Sequence, residues 1–292
     1  MAYFSFTDVS GETFVFRLDD PAAIAHARAL LSGSATHDPR IAGTVTKTEA
    51  AYNIGWSYHL APESIFFFEM STEVGDSTMR YIEDHLEEVG GELLPGGVWT
   101  GWSSVLVSEL AVQSGDAGSD VLRGSGSDDL LFGQAGEDLL LGKAGNDHLV
   151  GDAGADRMLG GQGNDKLGGG TGDDRLYGGA GNDVLVGDAG DDQLIGGAGD
   201  DIFLFRAVTS ASREVIRDFE GGHGAGDVIH LHASWLGGLG DQTGDGIVDE
   251  ADAARAFVRK GNDLVLRHDA DTLIILKGAA GKTLHADDFL IL

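Results

Sequence analysis

Apolar residues change their spacing along this chain. Near the start they alternate: Tyr3-Phe4-Ser5-Phe6 and Thr13-Phe14-Val15-Phe16-Arg17 read as two strands of a hairpin joined through Ser10-Gly11. Asp20 before Pro21 marks a helix start, continued by Ala25, Ala29 and Leu30 and stopped near Gly33. Strand-like runs follow at 41–46, 54–60 and 64–69. Asp76 then opens a second helix whose Met79, Ile82, Leu86 and Val89 recur at helical spacing before Gly90-Gly91. This pattern predicts an α+β domain over residues 1–112.

From Gly115 the period becomes nine. Frames begin at Gly115, Gly124, Gly133, Gly142, Gly151, Gly160, Gly169, Gly178, Gly187 and Gly196, ten in a row without an insertion. Position six is always aspartate: Asp120, Asp129, Asp138, Asp147, Asp156, Asp165, Asp174, Asp183, Asp192 and Asp201. Position eight is always large and apolar, from Leu122 to Phe203, and position four is Gly except at Ser127. Around each position eight, three residues can form a short strand whose middle side chain points inward, while the preceding six turn the chain. A disordered Gly/Asp linker has no reason to keep Leu and Asp in fixed phase.

Composition sharpens this picture. The chain has 292 residues, 47 of them Gly, 4 Pro and no Cys, and carries a net charge of −29 from 48 acidic and 19 basic residues. Such a surface disfavours nucleic acid and acidic membranes and favours cations. The absence of Cys excludes disulfides, thiolate metal sites and cysteine nucleophiles. No apolar run approaches a membrane span, and MAYFSFTDVS lacks the features of a secretory signal. Residues 115–204 hold 18 of the acids against five bases, with Phe132, Tyr177 and Phe203 as their only aromatics. That segment cannot build a conventional core, and stacking its aspartates is repulsive unless a cation lies between them. Calcium, which takes 6 to 8 oxygens in irregular geometry, suits carboxylates beside glycine-rich turns.

The nonapeptide resembles the G-G-x-G-x-D-x-U-x repeat of the repeats-in-toxin, or hemolysin-type, calcium-binding family. The resemblance implies a calcium-binding parallel β-roll over residues 113–205 in which two frames make one turn. Ten frames then give about five turns and a roll roughly 24 Å long. Pairing each loop with the second one after it allows 10 − 2 = 8 calcium sites, with the ten position-six aspartates as ligands. Asp116, Ser125, Gln134, Lys143 and Asp152 at position two, with Ser127 at position four, point to weaker or missing sites in frames one to five.

Residues 206–292 read as a β-rich cap. The runs 215–222, 226–231, 261–266 and 272–276, with the ending Asp287-Asp288-Phe289-Leu290-Ile291-Leu292, look like the flank and uncleaved export signal of type I secretion substrates. The same ending could instead be a last strand closing the roll, and both can hold. Within the cap, Asp241, Thr243, Asp245, Asp249 and Asp252 fall at positions 1, 3, 5, 9 and 12 of a loop with Gly246 at 6, similar to an EF-hand-type or dockerin-type calcium loop. Thr243 and the short Asp252 should weaken it, and a helix is expected to leave it through Ala253.

In the N-terminal part, the run 14–21 with Ala25-His26, Tyr52-Asn53, 56–60 and 81–86 resembles a small bacterial domain family sometimes labelled calmodulin-related. Its available acid, base or ligand groups are His59, Glu69, Asp84 and His85, but neither H-E-x-x-H nor G-x-S-x-G occurs, so the chain reads as an enzyme less readily than as a binding protein. Together these features predict a secreted, extracellular calcium-binding protein that uses a type I exporter. Its repeats fold on calcium outside the cell and display a small N-terminal module for a surface polysaccharide or protein ligand. The rival readings are a small hydrolase or toxin with its active groups in that module, or a polysaccharide-binding module.

Overall fold

A computed structural model describes residues 1–7, 13–32, 40–46, 59–60, 66–68, 89–90, 94–95, 98–101, 105–206, 211–221, 226–236, 250–268 and 272–291. These form two compact units, Met1–Val112 and Gln113–Leu292.

In the first unit the alternating runs pair as expected: Ala2–Thr7 and Thr13–Leu18 are antiparallel with Phe4 opposite Phe16, and Val105–Glu109 lies on the other side of Ala2–Thr7. Phe4, Phe14, Phe16 and Leu18 are buried, as is Val15 on the opposite face, and the Phe4 and Phe16 rings stack at 5.8 Å. The helix Pro21–Leu31 starts where Asp20 caps it, its carboxylate accepting from Ala23 N at 2.9 Å, and buries Ile24 and Ala27. A second antiparallel sheet places Arg40–Thr46 beside His59–Leu60, Phe66–Phe68 and Val98–Gly101. Glu69 and positions 76–88 of the expected helix, with Asp84 and His85, lie outside the described residues, while Val89, expected as its last apolar position, is instead in a short strand, Val89–Gly90, paired in parallel with Leu94–Pro95. His59 is described only as strand backbone.

The second unit is a parallel β-roll. Each frame supplies a short strand, and each strand pairs with the one 18 residues later, so odd and even frames build separate sheets. The position-eight residues Leu131, Leu140, Leu149, Met158, Leu167, Leu176, Leu185, Leu194 and Phe203 form one buried row between the sheets. Regularity comes from the 18-residue pairing, which returns every side chain to the same place one turn on.

Both sheets run on past the last frame. Ile202–Phe205 pairs in parallel with Val228–Leu231, and that with Phe289–Ile291; Gln193–Ala198 pairs with Arg213–Ile216, and that with Leu273–Leu276. Asp263–Arg267 and Val258–Lys260 then turn antiparallel at the end. Phe219, Ile229, Trp235, Leu266, Ile274 and Phe289 continue the same hydrophobic core. The stack is thus longer than ten frames alone would make it. The ending strand expected from Phe289 closes one sheet, with Phe289 buried.

Candidate metal centre

The loops between strands set up the site. In frames three to ten, positions two and four both have positive φ: position four is always Gly, with φ from 114 to 143°. Position two is Gly161, Gly170, Gly179 or Gly197 in four of these frames, and Gln134, Lys143, Asp152 or Asp188 at 70 to 84° in the others. The lower range is the left-handed region that Asn, Asp and other residues enter at modest cost; the higher range is glycine territory. Gln134, Lys143 and Asp152 therefore leave their loops in the common conformation. In frames one and two, positions two and four show no positive φ, so these two loops depart from the common conformation.

Position six points into this turn. The ten aspartates form two ladders, Asp120-Asp138-Asp156-Asp174-Asp192 on the odd side and Asp129-Asp147-Asp165-Asp183-Asp201 on the even side. In each, the backbone N–H of one aspartate donates to Oδ1 of the aspartate 18 residues later, at 2.7 to 2.9 Å. The second oxygen is left over. Oδ2 of Asp138, Asp147, Asp156, Asp165, Asp174, Asp183, Asp192 and Asp201 is buried without a hydrogen-bond partner. Buried polar atoms are nearly always paired, and eight exceptions at one repeat position mark a missing partner rather than scattered imperfection.

Frames one and two again differ. Asp120 Oδ2 accepts from Asp116 N at 2.8 Å, and Asp129 Oδ2 from Ser125 N and Oγ at 2.6 and 3.0 Å, so the loop itself consumes the oxygen. Beside them the Lys143 ammonium donates to the Gly124 carbonyl, placing a tethered cation at this end of the roll.

Electrostatics agrees with the orphan oxygens. Burial, opposed in part by the donated N–H, pushes Asp165 and Asp174 up to about 8, Asp147 and Asp183 to about 7, and Asp192 and Asp201 to about 6; neighbouring carboxylates add to the shift. A carboxylate held this dry keeps its charge only beside a positive partner. Among the described residues no three acidic or histidine side chains converge on one point. An ion here takes most of its oxygens from main-chain carbonyls, which glycine-rich turns expose. Hard oxygen donors of mixed type in an irregular turn fit calcium.

The cap adds groups that the nine-residue frame does not flag. Asp227 is the next even rung: Oδ1 accepts from Asp201 N at 3.1 Å and Oδ2 from Glu220 N at 2.7 Å. Asp218 accepts from Gly196 N and Gly197 N, at 3.2 and 2.9 Å, where another loop would otherwise stand. Glu214 falls opposite Asp192 on the odd side, since Gln193 pairs with Val215. The signal was in the sequence: Asp227-Val228-Ile229 and Glu214-Val215-Ile216 repeat the acid, variable, apolar triplet of each frame. Of the separate loop, Asp241, Thr243, Asp245 and Asp249 lie outside the described residues, and Asp252 is described only as backbone of the helix Glu250–Ala256.

Comparison with known families divides the chain at the same place as the structure. Residues 1–113 match the BP-74 N-terminal domain, and residues 114–149, 135–167 and 168–203 match the RTX calcium-binding nonapeptide repeat. Among solved structures, the AlgE6R3 subunit of the Azotobacter vinelandii mannuronan C5-epimerase is 23% identical at a TM-score of 0.26, over 60% of this chain and 80% of that one. The extracellular lipase LipA of Serratia marcescens is 15% identical at a TM-score of 0.26, over 64% of this chain and 41% of the lipase. No curated protein gives a significant match.

Proposed function

Because residues 114–203 are RTX calcium-binding nonapeptide repeats, we propose that this is a secreted protein whose roll closes on calcium outside the cell and there presents the N-terminal unit as a binding or surface-associated module. RTX repeat proteins are typically secreted, and no helix among the described residues is long and apolar enough to cross a membrane. The row of eight orphaned carboxylate oxygens carries this reading. In it, Asp138, Asp147, Asp156, Asp165, Asp174, Asp183, Asp192 and Asp201 are calcium ligands together with loop carbonyls, while Asp120 and Asp129 are starting rungs whose Oδ2 is already bonded. Asp241, Thr243, Asp245, Asp249 and Asp252 form a separate, weaker calcium loop; the helix Glu250–Ala256 begins at its tenth position, where an EF-hand exit helix would.

Calcium acts in this reading as a folding partner. Each site contributes about RT ln(1 + [Ca]/Kd), about 1.4 kcal/mol at tenfold over Kd, and several sites along one stack make folding steep in calcium. At cytosolic calcium the ladders repel and the chain stays open for a type I exporter, with export information in residues 206–292. The test is circular dichroism of the full chain in chelator and through a calcium titration. A cooperative gain of β structure in the ~0.1 to 1 mM range of extracellular modules is expected. Full β content in excess chelator would sink the reading. Export is tested separately by fusing residues 205–292 to a reporter in a host with a type I exporter; a reporter retained inside the cell refutes that part alone.

A further inference from the structure

The two acidic ladders end differently. On the even side Asp227 has each oxygen hydrogen-bonded to a backbone N–H, so neither is orphaned. On the odd side the ladder ends at Glu214, where Val215 N donates to the Asp192 carbonyl at 3.0 Å, as strand residues do throughout the repeats. The Glu214 side chain is 1% exposed, and neither carboxylate oxygen has a hydrogen-bond partner. Beyond it the pairing places Ile274, apolar and buried.

What faces Glu214 is the loop of frame nine, Gly187-Asp188-Ala189-Gly190-Asp191-Asp192. Asp188 and Gly190 have φ of 72 and 143°, the conformation of the other clean loops. Asp192 Oδ2 is itself orphaned, so one rung holds three buried carboxylate oxygens without partners. The charges acting on Glu214 are Asp192, Asp188 and Asp191; burial and these neighbours push it well above the ordinary carboxylate range. The Ser212 hydroxyl draws it back in part but completes no hydrogen bond to either oxygen. A rung of this kind stays charged only around a cation.

We propose that Glu214 and Asp192 hold a calcium ion at the end of the odd ladder, a site supplied half by the last odd frame and half by the segment that follows the repeats. It rests on the calcium reading above and adds a ligand outside the nonapeptide. Glutamate's longer arm reaches a displaced ion with both oxygens, as calcium accepts and magnesium, with its demand for a regular octahedron and bound water, does not. The ion joins the cap to the roll.

The test is the number of calcium ions bound by the full chain at saturation, by equilibrium dialysis, for the wild type, Glu214→Gln and Asp227→Asn. Glu214→Gln should bind one ion fewer and Asp227→Asn the wild-type number. An unchanged count in Glu214→Gln overturns the site and makes Glu214 a buried neutral acid. If Glu214→Gln does not fold at any calcium concentration, Glu214→Asp decides, because it keeps the charge on the ladder's own side chain. A wild-type count with the last ion bound at least several-fold more weakly supports the site, and a titration superimposable on wild type refutes it. A wild-type chain that binds no calcium at all would instead overturn the calcium reading as a whole.

Discussion

Each ladder aspartate from Asp138 onward divides its two oxygens between two tasks. Oδ1 accepts the N–H of the rung before, and Oδ2, buried without a hydrogen-bond partner, is the oxygen proposed for the ion. Asparagine can do the first and not the second. Asp183→Asn is therefore expected to keep the hydrogen bond from Asp165 N while lowering the number of calcium ions bound by one or two. It should also raise the residual β content in chelator, because a buried charge is removed. No gain of β content in chelator would show that the carboxylate is not strained without its ion. The loop glycines set the other limit at this scale. Gly163 has a φ of 116°, and a Cβ there would lie 2.0 Å from the Gly145 carbonyl oxygen. Gly163→Ala should cost about 1 to 3 kcal/mol even in saturating calcium, read as a shifted thermal or denaturant midpoint. Asp188→Gly, at a position that tolerates both residues, should change stability by less.

Two frames make the structural unit, and reading the chain in nines conceals this. Position five is Ser119, Asp128, Glu137, Asn146, Ala155, Asn164, Asp173, Asn182, Asp191 and Asp200 in turn, which reads as a variable column. Taken every 18 residues, the even frames give Asp128, Asn146, Asn164, Asn182 and Asp200, and these form a second, exposed ladder. Each side-chain Oδ1 accepts the N–H of the next turn's fifth residue, at 2.8 to 3.0 Å, and Asp200 ends the row on Gly226 N. Asn164→Ala should cost about 0.5 to 1.5 kcal/mol and leave the calcium count unchanged, a combination that separates this ladder from the buried one. The buried rows were legible because position six is always Asp and position eight always large and apolar; the ladder of fives needed the right period. The hairpin at Phe4 and Phe16 and the Asp20 cap were legible from local alternation and capping chemistry. The union of cap and roll was not, because parallel pairing of Val228–Leu231 with Ile202–Phe205 depends on contacts that leave only the faint triplet at Asp227. Glu214 escaped for the same reason, being an acid of different length at the end of a row.

For the whole molecule, the raised carboxyls couple folding to pH. In the calcium-free roll their folded values, from about 6 to about 8, lie above the ordinary 3.8, so the folded state binds more protons than the unfolded one. That stabilisation is complete below about pH 4 and is lost as pH rises through 6 to 8. In chelator the β content of the roll should therefore fall from pH 5, where protonation supports the fold, to pH 8. With calcium present the charged form is the one held, so calcium added at pH 5, where the ion-free roll folds protonated, should release protons, measurable from the dependence of calorimetric heat on the buffer. No proton release would mean that the ladders are already ionised without the ion. The doubled period also constrains how such a chain can lengthen. The cap offers Val228–Leu231 to the even stack and Arg213–Ile216 to the odd. A slip of one turn within the uniform middle leaves nearly every contact intact, so those turns hold almost no information about their own register. The ends act as the key, with the bonded loops at Asp120 and Asp129 on one side and Glu214 and Asp227 on the other. Duplicating 18 residues inserts a turn and leaves the key in its lock, whereas duplicating nine exchanges the two faces and presents every following strand to the wrong neighbour. Lineages of such rolls should differ in length by whole turns.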